Sequence, residues 1–370
     1  MRERLTRLFA SRWGIILVGA VIGVLGVLLR KLGNPANMGI CVACFERDIA
    51  GALGLHRAAP VQYLRPEIPA FVLGSLIAAL AFREFKPRTG SAPILRFLLG
   101  AFAMIGALVF LGCPWRALFR LSGGDLNALI GIAGLAAGIA AGVAFLRGGY
   151  SLGRAAPARG AVGWITPGLM LGLVLLALIR PSFLIRSESG PGAMHAAIGI
   201  SLAGGLLVGM LAQRTRFCTM GSVRDVILAR DTHLLSGVVA LLVAAFLLNL
   251  AFGFVKFGFG AQPIAHSNAL WNFLGMVLAG LAYALAGGCP GRQLFLAGEG
   301  DGDAGIFVLG MLSGAAFAHN FGLASKPDAV ANGVLQIGGP APNGQLAVLL
   351  GLAFCVAVGF AMRERWEVKR

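Results

Sequence analysis

Ten stretches of this 370-residue sequence are apolar for long enough to act as membrane-crossing helices, and that feature limits the fold more than any other. A helix needs about 20 apolar residues to cross a bilayer. The runs fall near 13–30, 66–82, 96–112, 126–146, 161–179, 195–212, 233–254, 269–288, 303–320 and 344–362, the second being short. Many are rich in Gly and Ala, as in GIAGLAAGIAAGVA at 131–144. Small residues let helices approach closely where lipid supplies no hydrophobic drive between them. Hydrophobic residues make up 58% of the chain and charged residues 12%, against about 25% charged in a soluble domain. So little polar surface excludes a water-soluble enzyme, and the hydrophobicity excludes disorder. The expectation is an all-α polytopic membrane protein of about ten transmembrane helices.

The net charge of +16 does not mark a nucleic-acid binder. The basic residues sit at the ends of apolar runs, with no basic and aromatic face between them. Excess Lys and Arg is instead the mark of cytoplasmic loops. With an even number of spans, five basic groups share one side: Arg2, Arg4, Arg7 and Arg12; Arg83, Lys86, Arg88 and Arg96; Arg147, Arg154 and Arg159; Arg214, Arg216, Arg224, Arg230 and Arg292; and Arg363, Arg365, Lys369 and Arg370. The long connections at 255–268 and 321–343 hold one Lys each, Lys256 and Lys326. This predicts that both termini are cytoplasmic. The first run follows MRERLTRLFASR, and no small-residue cleavage site precedes Arg30-Lys31, so it reads as a retained span rather than a signal peptide.

The sequence also repeats itself. Aligning Cys41-Val-Ala-Cys-Phe-Glu-Arg-Asp48 with Cys218-Thr-Met-Gly-Ser-Val-Arg-Asp225 matches the cysteine and the Arg-Asp pair at an offset of 177. GCPWRALFRLSGGDLNA (112–128) and GCPGRQLFLAGEGDGDA (288–304) share nine of 17 positions at an offset of 176. Two separate segments at one offset indicate duplication. The offset covers five crossings, so the second copy would be upside down, as in the inverted repeats of secondary transporters. The expected organisation is a first half-repeat over 1–146 with re-entrant segments near 37–57 and 112–125. A cytoplasmic joint at 147–160 and an extra span at 161–179 follow. The second half-repeat runs over 180–320 with segments near 214–231 and 288–302, and 321–370 supplies an outer loop, the last span and a basic tail.

The repeated segments carry the chemistry. Proline is favoured in the first turn of a helix, so Cys113 before Pro114 and Cys289 before Pro290 should sit at N-caps of short helices. Free N–H groups and the positive end of the helix dipole gather there. Arg116 and Arg292 follow two residues after each Pro, giving a small positive cradle with a thiol. Cys41 and Cys44 lie in a stretch too polar to face lipid, and Cys218 lies in its repeat mate, with Gly221 where a partner of Cys44 would be. Arg47 with Asp48, and Arg224 with Asp225, should pair, because an ionisable group at depth is costly alone; either aspartate could carry a coupling proton. Plainer readings accompany these. Cys355, alone in the last span, reads as packing. Arg116 and Arg292 could anchor lipid head groups, and Asp125 and Asp301 could cap the following spans. His195, His233, His266 and His319, near span ends, read as loop or interface residues. Zinc at Cys41-x-x-Cys44 would need two further ligands, and only His56 stands close. No metal and no cofactor are expected.

At these residues the sequence resembles a known family. GNPANMGICVACFERDIAGALGLH, VQYLRPEIPAFVLG, LGCPWRALFRLSGGDLNA and AGGCPGRQLFLAGEGDGDA resemble the YeeE/YedE sulphur-transport family, most closely its YedE selenium-transporter branch, over roughly 30–360. The resemblance implies a multi-pass protein of the bacterial inner membrane with inverted repeats. It implies a path on which a thiosulfate-like or selenium-containing anion passes between cysteines by S–H hydrogen bonds. The implied residues are Cys113 and Cys289, with Cys41 or Cys44 near the outer mouth. This chain departs in having cysteines in all four repeated segments. A small cytoplasmic sulphur-carrier-type partner is also implied. The expected function is therefore a permease for a small sulphur or selenium anion, drawn along by Arg47, Arg116, Arg224 and Arg292, and not an enzyme. One alternative is a membrane thiol–disulfide oxidoreductase using Cys41 and Cys44; another is a non-transporting scaffold for the carrier protein.

Overall fold

The computed structural model describes residues 2–363, with side chains from Thr6 onward. A short α1 (Arg2–Ala10) leads into α2 (Arg12–Lys31), α3 (Val42–Ala52), α4 (Glu67–Ala81), α5 (Pro93–Phe110), α6 (Pro114–Ser122), α7 (Asn127–Arg147) and α8 (Gly160–Ile179). The series then recurs as α9 (Ile198–Thr215), α10 (Thr219–Ala229), α11 (His233–Ala251), α12 (Ala269–Ala286), α13 (Pro290–Gly298), α14 (Gly302–Asn320) and α15 (Pro342–Ala361). Two small antiparallel pairs complete it: β1 (Arg88–Thr89) with β2 (Ala156–Pro157), and β3 (Ala329–Ala331) with β4 (Val334–Gln336).

Among the described residues, nine helical stretches are long and apolar enough to cross a membrane. The chain is an all-α, multi-pass membrane protein. The run expected at 66–82 is the exception. It forms α4, with 15 residues, about 22 Å at 1.5 Å per residue. Most of α4 is buried, packed against α8, α9 and α13. A helix sheathed by protein need not match the hydrocarbon thickness.

The repeat governs the packing. α3 and α10 begin 177 residues apart, and α5 with α12 and α6 with α13 begin 176 apart. Contacts come in exchanged pairs: α2 lies on α11 and α4 on α9; α5 lies on α14 and α7 on α12; α5 and α12 meet each other. Backbones touch at these crossings because glycine stands there. A Cβ at Gly138 would lie 2.1 Å from the Val277 carbonyl oxygen, and one at Gly280 would lie 2.4 Å from that of Leu135. Dispersion between closely approached backbones is what holds such helices in lipid.

The connections repeat too. The α11–α12 loop pairs with the end of α6 through Lys256 N–H to Gly123 O and Gly258 N–H to Gly124 O. The α4–α5 loop meets the end of α13 in the same way, through Lys86 N–H to Glu299 O and Arg88 N–H to Gly300 O. Ser151 donates its backbone N–H to Met362 O, and Arg147 donates to Ile227 O, so the 147–151 turn and both chain ends gather on one face, called here the N-terminal face. Arg365, Lys369 and Arg370 lie outside the described residues, as do the side chains of Arg2 and Arg4.

Candidate functional site

Four of the six cysteines are helix N-caps. Cys41 caps α3 and Cys218 caps α10, each accepting from the backbone N–H three residues on, at 3.3 and 3.2 Å. Cys113 caps α6 and Cys289 caps α13, each in extended backbone followed by proline. Proline presets the first helical residue and lacks an N–H that would otherwise be orphaned.

The four caps meet in two pairs. Cys41 Sγ stands 3.6 Å from Cys113 Sγ, and Cys218 Sγ stands 3.6 Å from Cys289 Sγ. Those are contact distances, far beyond the ~2.05 Å of a disulfide, and all six cysteines are free and buried. The backbone N–H groups of Ala43 and Arg116 face Cys113, and those of Thr219 and Arg292 face Cys289. Each thiol pair thus sits where two helix N-termini converge. Converging N–H groups and dipoles favour negative charge. Cys44 lies one turn into α3, its thiol 3.8 Å from Leu111 O. Cys355, in α15, is buried in the hydrophobic core.

The two pairs differ in access. Cys41, Cys44 and Cys113 are closed off from solvent. Cys218 instead lines a vestibule of about 740 Å³ on the N-terminal face. Arg214, Arg216, Arg224, Arg292 and Asp225 share its wall. Arg224 pairs with Asp225 at 2.8 Å, and Arg292 with Glu299 at 3.2 Å. Arg116, the mate of Arg292, is buried and makes a different set of contacts. Its Nη1 reaches Cys44 Sγ at 3.2 Å and Leu111 O, and its Nη2 reaches Ile264 O at 2.7 Å. Among the described residues no carboxylate lies within ion-pair distance of it. The loop carrying Ile264 also sends His266 Nε2 to Val109 O at 2.7 Å, laying this segment over the break between α5 and α6.

Burial in this loop depresses the His266 pKa to about 4; Arg120 adds to the effect, while the bond to Val109 opposes it.

Several parts of the site were not read from the sequence. Arg65 is fully buried and shares Asp48 with Arg47, at 2.8 and 2.7 Å. It also donates to Met194 O and Pro191 O, tying α3 to the start of the second repeat. Arg120 pairs with Asp125 at 2.6 Å beneath α6. Asp125 also accepts the Asn127 N–H, and Asp301 caps α14 through the Ala304 N–H. Finally, an aromatic collar stands between the repeats. Trp115 lies 5.8–6.2 Å from Phe71, Phe217 and Phe295 and against Gly291, and its Nε1 has no hydrogen-bond partner. Trp115 follows Cys113 by two residues and Phe217 precedes Cys218, so the collar lies next to both thiol pairs. Among the described residues no cluster of side chains fits a metal ion.

Comparison with known proteins bears on the same residues. Residues 214–370 match the family described as sulphur transport, a stretch that holds Cys218, Cys289 and Arg292. The thiosulfate transporter TsuA of Spirochaeta thermophila is 33% identical over 99 residues, which cover 26% of this chain and 28% of that relative. The chain therefore matches less than a third of that protein's length.

Proposed function

We propose that the chain is a permease for a small, soft inorganic anion containing sulphur or selenium, of the thiosulfate kind, a reading supported by the match of residues 214–370 to the sulphur transport family. The observation that carries the proposal is the meeting of helix N-termini in two thiol-bearing pairs, one of them open to an arginine-lined vestibule. The name of the relative supports the substrate class.

The mechanism follows from the chemistry of the donors. The N-terminal face is the cytoplasmic one. Arg47 and Arg116 draw the anion toward Cys41, Cys44 and Cys113. There the S–H groups and helix N–H groups replace its lost water. Sulfur is polarisable and only a weak donor, so the ion is held loosely enough to leave, as conduction requires. Arg116 has a buried charge balanced by a thiol and two carbonyls, which leaves it able to accept an anion. The ion passes the Trp115 collar to Cys218 and Cys289, and Arg292 and Arg224 receive it in the vestibule. A small sulphur-carrier protein would collect it there.

The pairs at 3.6 Å also favour a second reading, a thiol–disulfide oxidoreductase, with Cys41 and Cys113 rather than Cys41 and Cys44 as the closing pair. One experiment separates the two. Uptake of thiosulfate and of selenite is measured in proteoliposomes for the parent, Cys113→Ala and Cys289→Ala, with the thiols titrated after turnover. Transport through thiols predicts at least a tenfold fall in each variant and fully reduced thiols in the parent. Unchanged flux removes the thiol path, and a disulfide accumulating with turnover favours the enzyme.

A further inference from the structure

We propose that Glu46 is a proton-binding site on the helix capped by Cys41, and that its loading and release couple anion uptake to the inward movement of a proton. This deepens the transport reading and rests on it. Glu46 lies in α3, two residues after Cys44, and is fully buried. Neither of its carboxyl oxygens has a hydrogen-bond partner. Tyr283 lies in α12, is equally buried, and its hydroxyl is also without a partner. Glu46 and the Tyr283 hydroxyl are therefore not hydrogen-bonded to each other.

The other ionisable groups around α3 are already engaged. On α3 itself, Arg47 and Asp48 pair with each other and with Arg65. On α4, Glu67 accepts from Asn34 and Ser201. On α14, Asp303 is held by Thr89, Gly90 and Ser91, while His319 is the exception, its ring tilted 4.6 Å from that of His56 and its Nε2 without a hydrogen-bond partner. On α5, Arg96 binds Ser91 and Ala286 O, and at the start of α6, Cys113 meets Cys41. On α13, Arg292 holds Glu299, and Cys289 meets Cys218. Arg116, which reaches α3 at Cys44, is taken up by that thiol and two carbonyls, and among the described residues no cation lies within ion-pair distance of Glu46.

A buried carboxylate without a counter-charge is too costly to keep, so Glu46 carries a proton in this state. An anion at the neighbouring thiols raises that cost further. Anion and proton therefore favour each other's binding, and the coupling is reciprocal. After each release, Glu46 regains one proton from outer water while the path is open outward, and the anion that then enters holds that proton in place. When the path opens to the vestibule, the Glu46 O–H bond breaks and its one proton passes to cytoplasmic water, leaving a carboxylate until the path reopens outward. The proton's positive charge then offsets part of the anion's charge against an interior-negative potential.

The test uses the full chain in proteoliposomes loaded with a pH-sensitive dye. Thiosulfate added outside should acidify the lumen of parent vesicles. Glu46→Gln, which can neither take up nor release the proton, should lower that acidification at least tenfold while thiosulfate still protects the purified variant against heat. In the parent, a hydrophobic carbodiimide, which attacks protonated carboxyls, should modify Glu46, and this readout needs no variant to fold. Acidification that persists in Glu46→Gln, thiosulfate uptake by the parent without acidification, or a Glu46 inert to the carbodiimide would each overturn the proposal while leaving transport standing. A parent that neither binds nor moves thiosulfate would overturn the transport reading itself.

Discussion

Under the proposed transport reading, Arg116 holds shut the side away from the N-terminal face, and its removal should be visible without any transport assay. Its guanidinium ties the α5–α6 break, through Leu111 O, to α3 through Cys44 and to the α11–α12 loop through Ile264 O. A hydrogen bond from a charged donor contributes about 1.5–3 kcal/mol net, and the thiol contact less. Two carbonyl contacts then give roughly 3–6 kcal/mol. Part of that is recovered when water reaches the freed carbonyls, leaving about 3 kcal/mol in favour of the closed form. At 1.4 kcal/mol per decade this is about a hundredfold in the population of an outward-open form. The assay is labelling of intact right-side-out vesicles by a membrane-impermeant maleimide, read by mass spectrometry at each cysteine. In the parent, Cys41, Cys44 and Cys113 should stay unlabelled from outside. In Arg116→Ala, Cys44 and Cys113 should label on the order of a hundred times faster, while labelling of Cys218 from the cytoplasmic side stays within a few-fold of the parent. Equal, slow labelling of Cys44 and Cys113 in both proteins would refute the role of Arg116 as the seal.

Two further outcomes follow from groups packed around the same core. The folded structure holds the His266 pKa near 4, below the ordinary 6.5, so the neutral ring is preferred when folded. The stability it lends is complete above about pH 6.5 and is lost as the pH falls toward 4, with roughly 3 kcal/mol as the upper limit. Hydrogen-exchange protection of residues 259–268 should therefore decline over that window in the parent, and not in His266→Gln, which keeps a donor for Val109 O but does not titrate; identical pH profiles would contradict this. Arg65→Met should destabilise the protein by about 3 kcal/mol, because Asp48 loses one of its two buried partners. Thermal unfolding in detergent should show a fall of several degrees, partly restored in Arg65→Met with Asp48→Asn, and a double variant no better than the single would argue against a charge effect.

How much of this was legible depended on whether the signal was local. Hydropathy is a local sum, and it located the long helices to within a few residues, from Arg12–Lys31 to Pro342–Ala361. The Gly-Cys-Pro segments were legible because proline and an N-cap leave a local mark, and α6 and α13 start at Pro114 and Pro290. The contact between Cys41 and Cys113 left none. Those residues stand 72 apart, and only the docking of α3 on α5 and α6 brings them together. Arg65 offered a faint sign, a lone arginine between Leu64 and Pro66 at the edge of an apolar run, but its partner Asp48 lies 17 residues back. Phe71, Trp115, Phe217 and Phe295 sit in ordinary apolar or basic surroundings with no periodicity to mark a collar. Glu46 was hidden in the same way: a carboxylate beside Arg47 in sequence reads as paired, and only the fold shows that Arg47 turns to Asp48.

The duplication explains why one half is closed and the other open. Helices of matching sequence could adopt identical conformations, yet the copies differ at many positions, and two of those differences bear directly on the arginines beside the thiols. Cys44 corresponds to Gly221, and Glu299 corresponds to Gly123. In the second repeat, Glu299 holds Arg292 at 3.2 Å, and no thiol one turn into α10 competes for the guanidinium. The vestibule therefore reaches Cys218. In the first repeat there is no carboxylate at 123, so Arg116 folds instead onto Cys44 and the backbone carbonyls, and the α11–α12 loop closes over it. An anion arriving from outside offers Arg116 the negative partner that Gly123 cannot. Under the proposed transport reading, that competition is confined to the half bearing Arg116, because Arg292 is already paired with Glu299.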